Sequence, residues 1–339
     1  MKAVLLKQPG GSEQLYVSSD KGIPRIGAGE LLVRVHSFGV NRMDIFQREG
    51  NYPVPPGASS ILGVEFAGIV DKASDEALSQ GFKPGDKVFG LAGGGCYAEY
   101  AAVSATQTFH IPKDMSFEEA AGIPEVWMTA YQVLRLVGNF KKGDSVLFHG
   151  GASGVGLAVI QLAQLYGAKR IFATVGSDDK KKFLNTEVHL DGEEGYIPVI
   201  PINYNTDNFV DVVKHHSDHG VDVIIDPIGS THFNNNIEAA AVDGRIVAMG
   251  SIAGSVVDQL NIRKVLGKRL HIVGTTLRSR PADYKTELRD AVEKEVIPRI
   301  KEGKLKLFIE KVFSINEIVQ AHQLLESNTT KGKIIVNIE

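Results

Sequence analysis

The feature that most constrains this chain is a glycine-rich turn, His149-Gly-Gly-Ala-Ser-Gly-Val-Gly156. It lies between a short apolar run, SVLFH at 145–149, and an apolar stretch of helical length, VGLAVIQLAQLY at 155–166. Strand, glycine turn and helix in that order are what a dinucleotide-binding βα unit requires. Gly151 allows a tight turn, and Gly154 with the small Ser153 lets backbone approach a pyrophosphate. Gly156 lets the helix pack closely on the sheet. The amides at the helix N-terminus, from Gly154 and Val155 onward, then face the phosphate charge. Ser153 stands where the second glycine of the fingerprint is usual, so the strand–turn–helix context carries the match.

The residues around the turn repeat the same unit. A helical pattern covers about 124–137, and Gly167 falls where a C-cap belongs. Strands at 170–174, 222–226, 245–249 and 270–275 alternate with helical stretches, one of them near 230–242. Repeated βα units predict a parallel sheet with helices on both faces and right-handed crossovers. Before Gly122 the style differs. Runs at 31–36, 64–70 and 86–90 read as strands, and Gly and Pro clusters at 9–11, 53–57 and 84–85 separate them. That is the punctuation of a small barrel or sandwich. After residue 280 the pattern is helix (283–302), strand (306–312), helix (315–326) and strand (333–338), read as a tail that returns to complete the first domain. The predicted domains are therefore 1–125 with 281–339, and 126–280. Residues 185–203 are long for a βα connection and read as a surface insertion.

At 339 residues, two domains with separate cores are the natural expectation. A net charge of −3 and no Lys/Arg run longer than Lys180–Lys182 argue against a nucleic-acid surface. The single cysteine, Cys96, excludes an internal disulfide and a Cys-rich metal site. No apolar segment has the length of a signal peptide or a membrane span, so a cytoplasmic protein is expected.

The second strand of the βα unit narrows the cofactor. A site that prefers NAD ends this strand with Asp or Glu on the ribose 2′-hydroxyl. Here RIFAT runs into Val175, Gly176 and Ser177, with Lys180 one helical turn later. A hydroxyl, backbone amides and an ammonium would hold a 2′-phosphate that a carboxylate would repel. Charge-assisted hydrogen bonds contribute roughly 1.5–3 kcal/mol each. Two of them would favour NADPH by about two to four orders of magnitude. The same residues also serve as a helix start, with Ser177 as N-cap and Lys180–Lys182 on a solvated face.

Long motifs then resemble one family. They are N41-R-M-D-I-F-Q-R-E-G-N-Y52 through G63-V-E-F-A-G68, A121-G-I-P-E-V-W-M-T-A-Y131, L136-V-G-N139 and the glycine turn. They continue with I202-N-Y204, L277-R-S-R280, A321-H-Q-L-L-E326 and G332-K-I-I335. Together they resemble the zinc-free quinone oxidoreductases of the medium-chain dehydrogenase/reductase superfamily, on the zeta-crystallin-like, stress-inducible branch. The resemblance implies an α/β protein with a GroES-like β-barrel catalytic domain plus a Rossmann doubly wound parallel-sheet domain, the cofactor lying in the cleft between them. It implies a homodimer or homotetramer built through the last Rossmann strands. Residue by residue it implies cofactor contacts at Asn41, Tyr52, Thr129, Ser153, Gly154, Val155, Gly176, Ser177, Lys180, Tyr204, Ser251, Leu277, Ser279 and Lys333. Gly176, Ser177, Lys180 and Tyr204 would surround the 2′-phosphate.

Departures from the wider superfamily bear on the chemistry. Zinc-dependent members carry Gly-His-Glu where this chain has Gly63-Val64-Glu65, and valine cannot ligate. They also use a catalytic Cys and a four-Cys lobe, which one cysteine cannot supply. No metal is expected. Reduction of a quinone does not demand one. Hydride addition gives a hydroquinone anion akin to a tyrosine phenolate, whose reference pKa is about 10. A modest donor suffices to protonate that anion. Tyr52 and Asn41 are the polar candidates beside the substrate, with a packing or cofactor-stacking role for Tyr52 equally open.

The expected activity is NADPH-dependent reduction of quinones or similar conjugated carbonyls. Related 2-enoyl thioester reductases carry an Asn…Asp…Gly-x-Tyr pattern similar to Asn41…Asp44…Gly50-Asn51-Tyr52, which keeps that substrate class open. An NADPH-regulated RNA-binding or structural protein is the alternative of a different kind. His215, His216 and His219 read as a solvated helix end, and Cys96 as a small residue at a strand entry. Glu65 is expected to pack beneath the active site. Arg278 and Arg280 are open between anion contacts and surface or dimer roles.

Overall fold

A computed structural model describes residues 1–188 and 197–338. The chain divides into two units, one formed by Thr129–Leu277 and the other by Met1–Met128 with Arg278–Glu339.

In the Thr129–Leu277 unit the βα repeats build one six-stranded sheet. The strands are Ser145–His149, Arg170–Val175, Val199–Asn203, Val221–Asp226, Ala240–Ala248 and His271–Gly274. Numbered in that order they lie 3-2-1-4-5-6 across the sheet, and every neighbouring pair is parallel. Right-handed crossovers that run first one way and then the other put the helices on opposite faces. The order reverses between the first and fourth strands, which opens a crevice at their carboxyl ends. All of Ser145–His149 is buried, as a central strand of a covered sheet must be. Residues 156–164 of the helix Gly154–Leu165 are buried as well, so this helix is covered on every side, with Gln161 and Gln164 as its only buried polar side chains.

Three expectations need correction here. The stretch 185–203 is not wholly an insertion. Residues up to Glu187 close the helix Asp178–Glu187, and Val199–Asn203 is the third strand of the sheet, in register with Ile171–Val175. Its Pro201 and the preceding Ile-Pro broke the strand pattern, but an edge strand tolerates proline. Residues 189–196 of that stretch lie outside the described residues. The helix near 230–242 stops at Ala239, and the next strand starts at Ala240, earlier than its apolar run. Asp243-Gly244 resembles a turn because it is a bulge: Asp243 has φ 61°, and the register with the fourth strand shifts there. The tail helix 283–302 divides into Ala282–Glu295 and Ile297–Lys301 around Val296, with proline in the first turn of the second.

In the other unit the strand Glu30–Val40 is the hub. One side pairs antiparallel with Glu65–Ala73. The other side pairs first with Tyr100–Ser104 and then, beyond Ser37, with Lys333–Asn337. Register shifts at Leu32/Val33 and Val35/Ser37 bend it enough to serve all three partners. Ile309–Ser314 adds parallel to Lys333–Asn337. Phe38, Phe66, Tyr97, Val103 and Val336 pack in the core of this unit. Among the described residues no helix is long and apolar enough to cross a membrane.

Candidate cofactor and active site

The glycine turn forms as its residue types require, with one correction. The left-handed residue is Gly150, at φ 79°, and not Gly151. Gly151 is needed for contact, because a Cβ there would lie 2.6 Å from Ala173 Cβ. Gly156 has no room either: a Cβ would lie 2.6 Å from Gly150 O and 2.8 Å from Gly151 O. Ser153 is the N-cap of the helix, its hydroxyl accepting from Gly156 N at 3.1 Å. The first turn of a twelve-residue helix, with Gly154 and Val155 at its start, thus faces the carboxyl edge of the sheet.

Beneath the turn runs a buried chain of side chains that the sequence reading missed. Asp226 ends the fourth strand; its Oδ1 accepts from the amides of Ile228 and Gly229, and its Oδ2 accepts from Asn236 Nδ2 at 2.8 Å. Asn236 Oδ1 must therefore accept from His149 Nε2, at 2.7 Å. His149 Nδ1 then accepts from the Thr174 hydroxyl at 3.1 Å, and Thr174 Oγ1 accepts from Gly150 N at 3.3 Å. Every link has one direction, which fixes a neutral histidine with its proton on Nε2. Burial drives the His149 pKa down to about 3, with a contribution from His232. The signal was a histidine closing an otherwise apolar strand.

At the end of the second strand, Ser177 caps the helix Asp178–Glu187 by accepting from Lys180 N at 3.3 Å. Tyr204 follows the third strand, its amide bonded to Val175 O at 3.0 Å. Its phenol passes over Gly176, where a Cβ would lie 2.5 Å from the hydroxyl oxygen. Gly176, Ser177, Lys180 and Tyr204 are thus brought to one strand end despite the length of chain before Tyr204. Asp178, which follows Ser177 in the chain, accepts from Asn203 Nδ2. Ser251 follows the fifth strand and lies against the Gly229 loop, 3.0 Å from where a Gly229 Cβ would be. Thr129 is buried, and its hydroxyl has no hydrogen-bond partner among the described residues. Leu277 is buried at the end of the unit. An orphaned buried hydroxyl at Thr129, and a glycine turn that opens a helix at the carboxyl edge of the sheet, fit a bound dinucleotide.

The other unit gathers Asn41, Tyr52 and Lys333. Asn41 is the N-cap of the helix Arg42–Arg48, in a reciprocal capping box with Asp44. Lys333 Nζ contacts Asn41 Oδ1 and Glu65 Oε1, each at 2.5 Å, and Val40 O at 3.3 Å. Asn41 Nδ2 donates to the same Glu65 oxygen at 2.8 Å, and Glu125 N donates to Glu65 Oε2 at 2.8 Å. Glu65 packs in the interior as expected, and Gly39 leaves the space that it and Lys333 fill.

A second histidine chain adjoins this cluster. Arg48 donates to His322 Nδ1 at 3.3 Å, so His322 Nε2 donates to the Tyr97 hydroxyl oxygen at 3.2 Å. Tyr97 in turn donates to Asp44 Oδ2 at 3.1 Å. Burial pushes Asp44 up to about 6, and its Oδ1 has no partner among the described residues. Burial and the neighbouring Glu65 push Glu125 up to about 7.

Tyr52 is half-buried beneath the Arg278 guanidinium, 5.6 Å from its ring centre, and burial with the charge of Glu125 raises its phenol pKa. Arg278 is itself buried and donates to Gly93 O and Gln47 Oε1, so it is not a solvated surface side chain. Ser279 is exposed. Cys96 is buried, with its thiol pKa pushed well up by desolvation, consistent with a small strand-entry residue. His219 pairs with Asp222 at 3.0 Å, and among the described residues no group of three His, Cys, Asp or Glu side chains is placed to hold a metal. Asp44, Glu65 and Glu125 as a group went unrecognised in the sequence; the available signal was a lone acid in the apolar runs that hold Glu65 and Glu125.

Two family models match the chain, alcohol dehydrogenase GroES-like domain over residues 27–113 and zinc-binding dehydrogenase over residues 198–336. The human quinone oxidoreductase is 29% identical over 99% of this chain and 97% of its own length. The synaptic vesicle membrane protein VAT-1 homolog of Danio rerio is 28% identical over 100% of this chain and 70% of its own. Among solved structures, the quinone oxidoreductase of Escherichia coli complexed with NADPH superposes with a TM-score of 0.85 at 25% identity, covering 99% of this chain and 100% of that one.

Proposed function

Because the chain belongs to the medium-chain dehydrogenase/reductase superfamily, we propose that it is an oxidoreductase that uses NADPH to reduce quinones or similar conjugated carbonyls without a metal. The observation that carries the cofactor is the second strand end. There Gly176 lies under the Tyr204 phenol, Ser177 caps the helix in whose first turn Lys180 stands, and the Asp178 carboxylate accepts from Asn203. Gly151, Ser153, Gly154, Val155 and Gly156 would hold the pyrophosphate, with Thr129, Ser251 and Leu277 as further contacts in the same unit. Asn41, Tyr52, Ser279 and Lys333 are the corresponding proposals in the other unit.

NADPH, when bound, supplies the hydride. The protein's own part is orientation and protons. Lys333 spends its donors on Val40, Asn41 and Glu65, and Asn41 is held on both sides of its amide. We assign to this pair the fixing of a polar wall, with Tyr52 orienting the acceptor from beneath Arg278. Val64 in place of a ligating histidine, and a buried Cys96 whose thiolate is disfavoured, support metal-free reduction. A quinone suits this chemistry because its reduced anion is a weak base beside an alkoxide.

Steady-state NADPH oxidation against ortho-quinones, para-quinones and a 2-enoyl thioester tests the reading, with NADH as control. Turnover confined to quinones and at least about 100-fold better with NADPH is expected from the contacts proposed. Activity confined to the enoyl thioester, or equal efficiency with NADH, would remove it.

We also propose a homodimer or homotetramer through the sixth strand. His271–Gly274 is the sheet edge, all four residues are exposed, and Ile272 and Val273 are 40% and 39% accessible. An apolar open edge of this kind is a template for pairing with a second copy. Light scattering after size-exclusion chromatography should give a multimer mass; a monomer at micromolar concentration would refute it.

A further inference from the structure

We propose that Glu125 is the proton donor of the reduction, because it is the carboxyl of the Asp44–Glu65–Glu125 group that the fold holds in place by its backbone while leaving its side chain unclaimed. The proposal rests on the quinone-reductase reading above. Glu65 has both oxygens engaged, Oε1 by Asn41 and Lys333 and Oε2 by the Glu125 amide. Asp44 is fully buried and holds Tyr97 and the Asn41 amide on one oxygen. Glu125 stands in the first turn of the helix Pro124–Tyr131. That turn is pinned to Glu65 through its backbone N–H, and no hydrogen bond reaches its carboxyl among the described residues. It is only partly buried, so water and a ligand can reach it.

The groups around Glu125 decide its protonation. Glu65 and Asp44 repel its charge, from the strand Glu65–Ala73 and the helix Arg42–Arg48. Lys333 and Arg278 oppose them, and Lys333 is already neutralised by Glu65. Tyr52 and Lys285 respond to the charge of Glu125 from the loop and the helix Ala282–Glu295. The balance holds the carboxyl up to about 7, where a general acid is efficient in both giving and regaining its proton. Tyr52 is the poorer donor, since burial raises its phenol further from that range.

The step balances simply. The hydride brings the electron pair, the Glu125 O–H bond breaks as the hydroquinone O–H bond forms, and the carboxylate recovers a proton from water. Overall, NADPH, quinone and one proton give NADP+ and hydroquinone.

Three variants and one direct titration test the assignment with an ortho-quinone as acceptor. Glu125→Gln should lower kcat about 100-fold. It should also leave the NADPH Kd, read by fluorescence, within about twofold, and abolish the limb of the pH profile that falls near pH 7. The solvent deuterium effect should go with it, and Glu125→Asp should restore part of both. In the cofactor-free protein, 13C NMR of labelled glutamate carboxyls should show one resonance titrating near pH 7 that Glu125→Gln deletes. A Glu125→Gln enzyme with kcat within twofold of wild type and an unshifted pH profile would overturn the donor role while leaving quinone reduction standing. So would the same pH limb surviving in Glu125→Ala, or no glutamate titrating between about pH 6 and 8. Wild type inactive on every quinone would overturn the functional reading and this assignment together. If Glu125→Gln fails to fold by circular dichroism, Glu125→Asp and the wild-type titration decide.

Discussion

Each unit of the molecule is threaded by a buried histidine chain, and the two chains differ in how they end. His149 and His322 are both neutral, both protonated on Nε2 and both held down to about 3 by burial. The His149 chain closes on backbone amides at each end, at Ile228 and Gly229 and at Gly150. The His322 chain starts at the Arg48 guanidinium and runs into Asp44, which has one oxygen unmet and lies within reach of Glu65 and Lys333. One arrangement holds a loop still, with both oxygens of its one carboxylate, Asp226, hydrogen-bonded. The other stores protonation equilibria near neutrality. A binding turn needs the first kind of network and proton chemistry needs the second.

The largest expected effect tests the quiet side. Ser177→Asp preserves the N-cap, because aspartate caps as well as serine, so the helix should persist. It sets a carboxylate against a 2′-phosphate, and the ratio of NADPH to NADH efficiency should fall by about 100-fold. Kinetics with both cofactors measure it; an unchanged ratio would dissociate this strand end from the 2′-phosphate.

Acid should separate the two units next. His149 is depressed, so its contribution is complete above its unfolded pKa of about 6.5 and is lost as pH falls toward 3. At pH 5 that loss is about 2 kcal/mol. His322 behaves alike, but Asp44 and Glu125 are raised and act in the opposite sense. Their contribution is fully present below the unfolded carboxylate pKa and is lost as pH rises through about 6 and about 7. Lowering the pH from 7 to 5 should therefore weaken hydrogen-exchange protection in strands 145–149 and 170–175 more than in 30–40 and 65–73. Equal loss in both sets would erase the electrostatic contrast. His149→Leu should remove the acid sensitivity of the first set and cost about 1–3 kcal/mol at pH 7, by orphaning Asn236 and Thr174.

The smallest effect is a control on the exposed surface. His219 is 63% accessible beside Asp222, and His219→Ala should change the denaturation midpoint by no more than about 0.5 kcal/mol in stability. A larger change would mean that the surface pair is coupled to Ser145, which shares Asp222.

What was legible in the sequence follows the same division. Periodicity exposed the strands 145–149, 170–175 and 221–226 and the helix 154–165, because central βα units bury continuous apolar runs. It failed at Val199–Asn203 and at Asp243-Gly244, where an edge proline and a bulge imitate loops. Glycine chemistry located the turn, though the contorted residue is Gly150. The polar chains were invisible because their members, His149 with Asn236 and Asp44 with Tyr97 and His322, are distant in sequence and singly unremarkable. Only the lone acids within apolar runs, Glu65 and Glu125, marked the cluster, the first fully buried and the second partly so.

The Asn41–Lys333 contact spans 292 positions of the chain. The strand contacts of the dinucleotide-type sheet lie within 145–274, so that sheet can be complete while the acidic cluster still waits for its ammonium partner. During synthesis Glu65 and Asn41 emerge long before Lys333, which neutralises the carboxylate and donates to the amide, and the hub strand lacks one neighbour until residues 333–337 arrive. The topology thus predicts an order of events on the ribosome, the parallel sheet first and the acidic cluster last.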